Sequence, residues 1–257
     1  MFFVKKYGAL FMMVSFAIVI SLWLTGGRDE YIITDSSLYT GGNVYQSEAN
    51  ITRQLVQNDA ASPNKTAYLT FDDGPSENTG IIMDALNQYG AKATFFVLGE
   101  KAEQNPDMVR RIFEEGHSIG NHSYNHDYDE VYGTREEFVG ELVRWEEVVG
   151  NIIGSENLTK LFRFPGGSKE DWKYIYRNIA EEMGYKYVDW TALNGDADGK
   201  PFSEQRCMDE IAKYCTDEGD VVILMHDSAK KDITARMMPQ ILEYLKGQGY
   251  NFKRIEV

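Results

Sequence analysis

The chain of 257 residues is 43% hydrophobic and 26% charged, with a formal net charge of −14. Length and composition are those of a folded protein with a substantial core and exclude a disordered chain. The acidic balance argues against a nucleic-acid partner, because phosphate backbones are met by a surplus of Lys and Arg; it is compatible with a neutral glycan.

The start of the chain differs in kind from the rest. Lys5 and Lys6 precede an almost uninterrupted apolar run over residues 7–24, which ends at Thr25, Gly26, Gly27 and Arg28. Residues 1–27 therefore read as an uncleaved signal-anchor helix, at the short end of the length needed to span a bilayer. The leading lysines keep the N-terminus cytoplasmic and send the remainder outward. A cleaved secretory signal is the rival reading, although no clear small-x-small site follows the run. A buried soluble helix comes third. Residues 28–65, rich in Ser, Asn, Thr and Gly, read as a linker. A catalytic domain follows over residues 66–257.

From residue 66 short apolar runs alternate with amphipathic stretches closed by glycine. Residues 67–71 read as a buried strand. The next stretch, 79–89, sets Ile82, Ala85, Leu86 and Tyr89 on one helical face, with Gly90 as the stop. A second strand is expected over 93–98. Asn105 then caps a helix that has Pro106 at its first position and stops at Gly116. A short strand over 118–121 follows. The pattern Thr134-x-x-Glu137 is a capping box opening a helix to about residue 149. Further strands are expected over 161–164, 185–189 and 221–225, with helices over 171–183, 203–215 and 233–246. Residues 252–255 read as the last strand.

Repeated strand–helix units imply a parallel sheet with helices outside. About seven units without a dinucleotide-type glycine fingerprint favour a distorted (β/α) barrel, in which chemistry sits at the C-terminal strand ends. The two cysteines, Cys207 and Cys215, fall on one expected helix about 12 Å apart at ~1.5 Å rise per residue. A disulfide cannot span that, so both read as buried thiols.

The chain has four histidines. His122 and His126 are four apart and can converge on one ion, but a bare H-x-x-x-H is more often two solvent-facing loop residues. Thr70-Phe71-Asp72-Asp73-Gly74-Pro75 changes the odds. Two adjacent carboxylates at the end of an apolar strand exceed what capping the next helix requires. Adjacent residues leaving a strand point in different directions, so one carboxylate can take a metal while the other faces substrate. His117 reads as structural. The Asn194-Gly195-Asp196-Ala197-Asp198-Gly199 stretch has calcium-loop composition, but Gln205 stands where an EF-hand needs its bidentate glutamate. It reads as a polar loop near the active-site rim.

These motifs, with Arg163, Asp189-Trp190 and Leu224-Met225-His226, resemble in order those of the polysaccharide deacetylases of carbohydrate esterase family 4, the NodB-homology domain. The resemblance spans residue 66 to about 257. It implies a distorted (β/α) barrel and a hydrolase removing acetyl groups from N-acetylglucosamine units of a glycan such as peptidoglycan. It further implies Asp73, His122 and His126 as ligands of one divalent metal, zinc first, with cobalt, nickel or manganese as alternatives. Asp72 would be the general base, Arg163 its ion-pair partner, His226 the acid that protonates the departing amine, and Asp189 the carboxylate orienting His226. Trp190 and Leu224 would line the pocket for the acetyl methyl. Many family members carry Pro-Pro-Tyr-Gly after the arginine, whereas here the run is Phe164-Pro165-Gly166-Gly167-Ser168. The backbone N–H that binds the oxyanion would fall to Gly166. Two other readings stand beside this one: an O-acetyl ester hydrolase acting on a polysaccharide such as xylan, and a non-catalytic glycan-binding module.

Overall fold

A computed structural model describes residues 49–56, 65–216 and 219–257. The expected membrane segment over residues 1–27 lies outside them. Among the described residues no helix is long and apolar enough to cross a membrane.

The centre of the sheet is β1 (Lys65–Asp72), paired in parallel with β7 (Val221–His226) along residues 67–72. On its other edge β1 is shared. Its first residues pair with β8 (Tyr250–Phe252), and its last with β2 (Thr94–Val97). Beyond β2 follow β3 (Ser118–Asn121), β4 (Leu161–Phe162) and β5 (Lys186–Tyr187), while β6 (Ala192–Leu193) lies outside β7. All pairings are parallel. The sheet is thus the distorted (β/α) barrel expected, and it is open: β5 and β6 end opposite edges and do not pair.

Residues 49–56, read from sequence as linker, lie at that opening. Tyr187 donates its N–H to Ala49 O (2.7 Å), and Ile51 donates to Tyr187 O (3.0 Å). Helix α1 (Thr52–Val56) then contacts β7. Ile51, 7% exposed, joins Phe96, Leu161, Val188, Val222 and Ile255 in a cluster on the inner face of the sheet. An edge strand with unpaired backbone groups is costly to leave open, and this segment covers it.

The strand period of two sorts the side chains. Ala67, Leu69, Phe71, Val221, Ile223 and Met225 point outward into the main core. That core is closed by α2 (Glu77–Gln88), α8 (Glu204–Tyr214) and α9 (Asp232–Gly247). Thr70, Asp72, Leu224 and His226 alternate with these and so point inward. Full burial of each large apolar side chain contributes about 1.5–3 kcal/mol.

Helix ends follow their capping chemistry. Both bonds of the capping box are made at α6 (Arg135–Ile153): Glu137 N to Thr134 Oγ1 (3.2 Å) and Thr134 N to Glu137 Oε2 (2.7 Å). Helix α6 runs a turn beyond the expected residue 149 and stops at Gly154. Ser76 caps α2, with Thr79 completing a second box; Thr79 stands where the usual pattern has Glu or Gln. Asn105 precedes α4 (Pro106–Glu114) but makes no side-chain cap; its amide bonds back to Lys101 O in α3 (Gly99–Gln104). The last strand falls at 250–252 rather than 252–255, because its pairing with Lys65–Ala67 fixes the register. Cys207 and Cys215 are buried free thiols, as expected.

Candidate active site

The site is assembled by strand register. Asp72 at the end of β1 lies directly beside His226 at the end of β7, and Thr70 beside Leu224. The chain then turns sharply after Asp72. Asp73 has φ +73, in the left-handed region. Gly74 follows where a Cβ would stand 2.2 Å from Asp227 Oδ2, so no larger residue fits there. After the turn both carboxylates still face His122 Nε2, each through one oxygen.

The second motif leaves β3 as a tight loop, not a helical turn. Ser123 N donates to Asn121 Oδ1 (2.8 Å), His126 N to Ser123 Oγ (3.0 Å), and Tyr124 N to Glu141 Oε2 of α6 (2.8 Å). Ser123 and His126 also have positive φ, +72 and +63. Non-glycine residues held in that region cost roughly 1–2 kcal/mol each and concentrate at functional sites. Here all three bracket one cluster: Asp73, His122 and His126 bring their ligand atoms within 4.8 Å of one another.

The chemistry of those atoms fits a cation. His122 Nδ1 lies 2.8 Å from Arg163 O. A carbonyl only accepts, so Nδ1 carries the hydrogen and Nε2 a lone pair. Burial is the main cause holding the His122 imidazole down to about 3, so the ring is neutral. Its Nε2 faces Asp73 Oδ1 (3.5 Å) and Asp72 Oδ2 (3.7 Å), and His126 Nε2 lies 3.7 Å from Asp73 Oδ1. Asp73 Oδ1 is buried without a hydrogen-bond donor. The His122 Nε2 lone pair and the Asp73 Oδ1 that receives no hydrogen bond meet beside His126 Nε2, an electron-rich site that a divalent ion would fill.

Arg163, wholly buried, stands over Phe96 (4.3 Å) and holds the base of the site. Its Nη1 donates to Asp72 Oδ1 (3.0 Å) and Thr70 Oγ1 (2.6 Å), its Nε to Val188 O (3.1 Å), and its Nη2 to Asp189 O (3.2 Å). Burial raises the Asp72 carboxyl above its ordinary value, with Arg163 and His226 opposing but not cancelling it. Arg163 is the ion-pair partner expected for Asp72.

Asp189 is not where the resemblance put it. Its carboxylate accepts from Ser168 N (2.9 Å), Ser168 Oγ (2.6 Å) and Asn50 Nδ2 (3.2 Å). His226 is held instead by Asp196, in the segment whose composition is that of a polar rim loop. His226 Nδ1 is 2.8 Å from Asp196 Oδ1, and His226 N and Thr234 Oγ1 donate to Oδ2 at 3.0 and 2.8 Å. The reason is register. Asp189 follows β5 at one edge of the sheet, whereas Asp196 follows β6, which pairs with β7 through Leu193 and Leu224. Burial lowers the His226 imidazole, but the Asp196 hydrogen bond and charge, with Asp72 and Asp73, push it up to about 9.

Leu224 lies on the inner face, 9% exposed, and Trp190 packs against the inner cluster. Gly166 is exposed with φ +71, and a Cβ there would stand 2.2 Å from Tyr128 Oη. His117 is structural as expected: its Nδ1 accepts from Ala93 N (3.1 Å), and burial pulls it down to about 4. Asp227, next to His226, belongs to none of the sequence motifs. It is fully buried, receives Thr79 Oγ1 at 2.5 Å, and is pushed up to about 7, chiefly by burial.

The chain matches the family model described as polysaccharide deacetylase over residues 59–188. It is 37% identical over 192 residues to a peptidoglycan-N-acetylglucosamine deacetylase of Bacillus cereus, covering 74% of this chain and 68% of that protein. Among solved structures it resembles a polysaccharide deacetylase from Bacillus cereus (35% identity, TM-score 0.66, covering 75% of this chain and 93% of that one). It also resembles a carbohydrate esterase family 4 enzyme from Streptococcus mutans (30% identity, TM-score 0.70, covering 79% and 89%). With fold, motif order and these likenesses in agreement, the chain belongs to the polysaccharide deacetylases of carbohydrate esterase family 4.

Proposed function

We propose that this protein is a metal-dependent N-deacetylase that frees the amino groups of N-acetylglucosamine units in a cell-wall polysaccharide, peptidoglycan first. The observation that carries the reading is the cluster of Asp73, His122 and His126 beside the buried Asp72 and the largely buried His226 on neighbouring strands. The similarity to an enzyme named for peptidoglycan supports the substrate. The apolar run at residues 7–24 supports export and anchoring, with the domain acting outside the cytoplasm.

Asp73, His122 and His126 would hold one divalent ion. One carboxylate oxygen and two imidazole nitrogens suit zinc, and cobalt, nickel or manganese could substitute. When bound, the ion supplies a Lewis acid for the acetyl oxygen and for the attacking water.

The remaining steps belong to the chain's own residues. Arg163 occupies Asp72 Oδ1 and leaves Oδ2 turned toward the cluster. A carboxylate whose pKa is raised by burial is a better base near neutrality, and Asp72 takes the proton of the attacking water. As the acetyl carbonyl becomes tetrahedral, the Gly166 N–H donates to its oxygen. His226 is protonated at neutral pH, and Asp196 commits its Nδ1. Its Nε2–H is therefore the proton that passes to the nitrogen as the carbon–nitrogen bond breaks. The products are acetate and a free amine. Leu224 and Trp190 would flank the acetyl methyl.

The test is acetate release by the full chain in detergent, loaded with zinc, on N-acetylglucosamine oligomers, peptidoglycan fragments and acetylated xylan. Release from the first two is expected. Release from xylan alone would move the reaction to ester hydrolysis. No release from any of the three, with glycan still bound, would leave only a binding module.

A further inference from the structure

A buried lysine behind the site has no part in these steps. Lys173 is 1% exposed and lies in the single helical turn Asp171–Lys173, just before α7 (Tyr174–Glu182). An ammonium has three hydrogens to give, and each has a taker. Nζ is 2.9 Å from Pro165 O, 2.6 Å from Gly167 O and 3.3 Å from Glu170 Oε2. The Tyr132, Trp172 and Tyr128 rings surround it at 4.7, 5.2 and 5.9 Å. Keeping a lysine out of water is unfavourable, and burial lowers its affinity for its proton. Closing a surface loop does not by itself call for that cost.

The two carbonyls flank one residue, Gly166. The Pro165 carbonyl also accepts from Tyr132 Oη at 2.7 Å, so both its lone pairs are engaged. That oxygen belongs to the same peptide unit as the Gly166 N–H. Among the described residues nothing accepts from this N–H, whereas the neighbouring Gly167 N–H is taken by Phe164 O (2.8 Å). A cation on an amide oxygen draws electron density from the nitrogen and makes the N–H a stronger donor, the cooperative polarisation of linked hydrogen bonds.

We propose that Lys173, assisted by Tyr132, is a positioning residue for the oxyanion. It fixes the Pro165–Gly166 peptide by both flanking carbonyls and polarises it, so that the Gly166 N–H strengthens as the acetyl oxygen gains charge. The inference rests on the deacetylase reading, but its structural half can be tested without turnover. At Gly166 the positive φ of +71 disfavours a side chain, and a Cβ there would displace Tyr128 Oη, 2.2 Å away.

The test compares wild type, Lys173→Met and Tyr132→Phe as full chains loaded with zinc. Metal content, binding of a deacetylated glucosamine oligomer, kcat and KM are measured on an N-acetylglucosamine oligomer. Lys173→Met keeps length and apolar bulk while removing all three donors. Its kcat should fall about 10- to 100-fold, below the loss of a whole oxyanion donor, with KM, oligomer affinity and metal content within about threefold. Tyr132→Phe should lose kcat several-fold in the same pattern. A kcat within twofold of wild type, or a loss confined to KM and oligomer binding, would overturn the proposal. If Lys173→Met does not fold, Tyr132→Phe decides by the same criteria. A crystal structure of either variant reads the loop directly: a Gly166 peptide unchanged in position and order in both overturns the positioning role. If wild type releases no acetate from any substrate, the deacetylase reading fails, and the crystal structures still decide whether these donors hold the loop.

Discussion

Replacing Asp196 by asparagine separates the two carboxylates that could govern His226. The structure sets the expected size of the effect. Burial opposes the imidazolium, and Asp196, 2.8 Å from Nδ1, is the principal group that reverses this and brings His226 to about 9. In Asp196→Asn only the more distant charges of Asp72 and Asp73 remain against burial. The group should then titrate near or below its ordinary 6.5. The general acid works only when protonated, so the alkaline limb of kcat/KM should move from about pH 9 to about pH 6.5 or lower. Above the new limb each further pH unit removes about tenfold more of the competent form. The assay is acetate release from an N-acetylglucosamine oligomer between pH 5 and 10, with wild type, Asp196→Asn and Asp189→Asn in parallel. Asp189→Asn should leave the limb in place and weaken only the anchoring of Ser168 and Asn50. A limb that stays near pH 9 in Asp196→Asn, or that moves in Asp189→Asn, would show that Asp196 does not govern His226.

Three further outcomes are expected. Asp72→Asn should keep its zinc but lose turnover by roughly 10²- to 10⁴-fold, whereas His126→Ala should lose zinc affinity; metal analysis after dialysis reads the first property and acetate release the second. Arg163→Met leaves Asp72 buried without its partner and should lower unfolding stability by about 3–5 kcal/mol, measured by urea titration. For the metal-free protein, His122 and His117 titrate near 3 and 4 when folded and 6.5 when unfolded. A depressed histidine takes up its proton mainly on unfolding, so stability should fall as pH drops below 6.5, by up to about 1.4 kcal/mol per pH unit for each group. His226 has the opposite sign: its contribution is complete below 6.5 and lost as pH rises through about 9. Melting temperatures between pH 4 and 10 would show whether stability declines on both sides.

Much of the fold was legible because its central strands are long and apolar. Residues 67–71 and 221–225 announce β1 and β7, and those two carry the aspartate pair and His226 to adjacent positions. The Thr134 capping box and the glycine stops were equally readable, since caps are local chemistry. The two-residue strands β4 and β5 lie within expected apolar runs, but β6 has neither such a run nor room for a period, so nothing in the sequence marks its pairing with β7. That gap concealed Asp196, because which carboxylate meets His226 depends on the neighbouring strand. Asp189 matched the order of the family motifs, and the fold uses it to tie the Ser168 loop to residues 50 and 52. Residues 49–56 were unreadable for a related reason. Their polar composition resembles a linker, and only the open barrel edge gives them a place.

The proposed reaction depends on an ion held by Asp73, His122 and His126, so the most direct measurement is acetate release from an N-acetylglucosamine oligomer by metal-stripped protein, followed by readdition of zinc. The stripped protein should release none, one equivalent of zinc per chain should restore release, and Asp73→Ala should not recover at that level. Full activity after stripping, or zinc-dependent recovery in Asp73→Ala equal to wild type, would contradict that dependence.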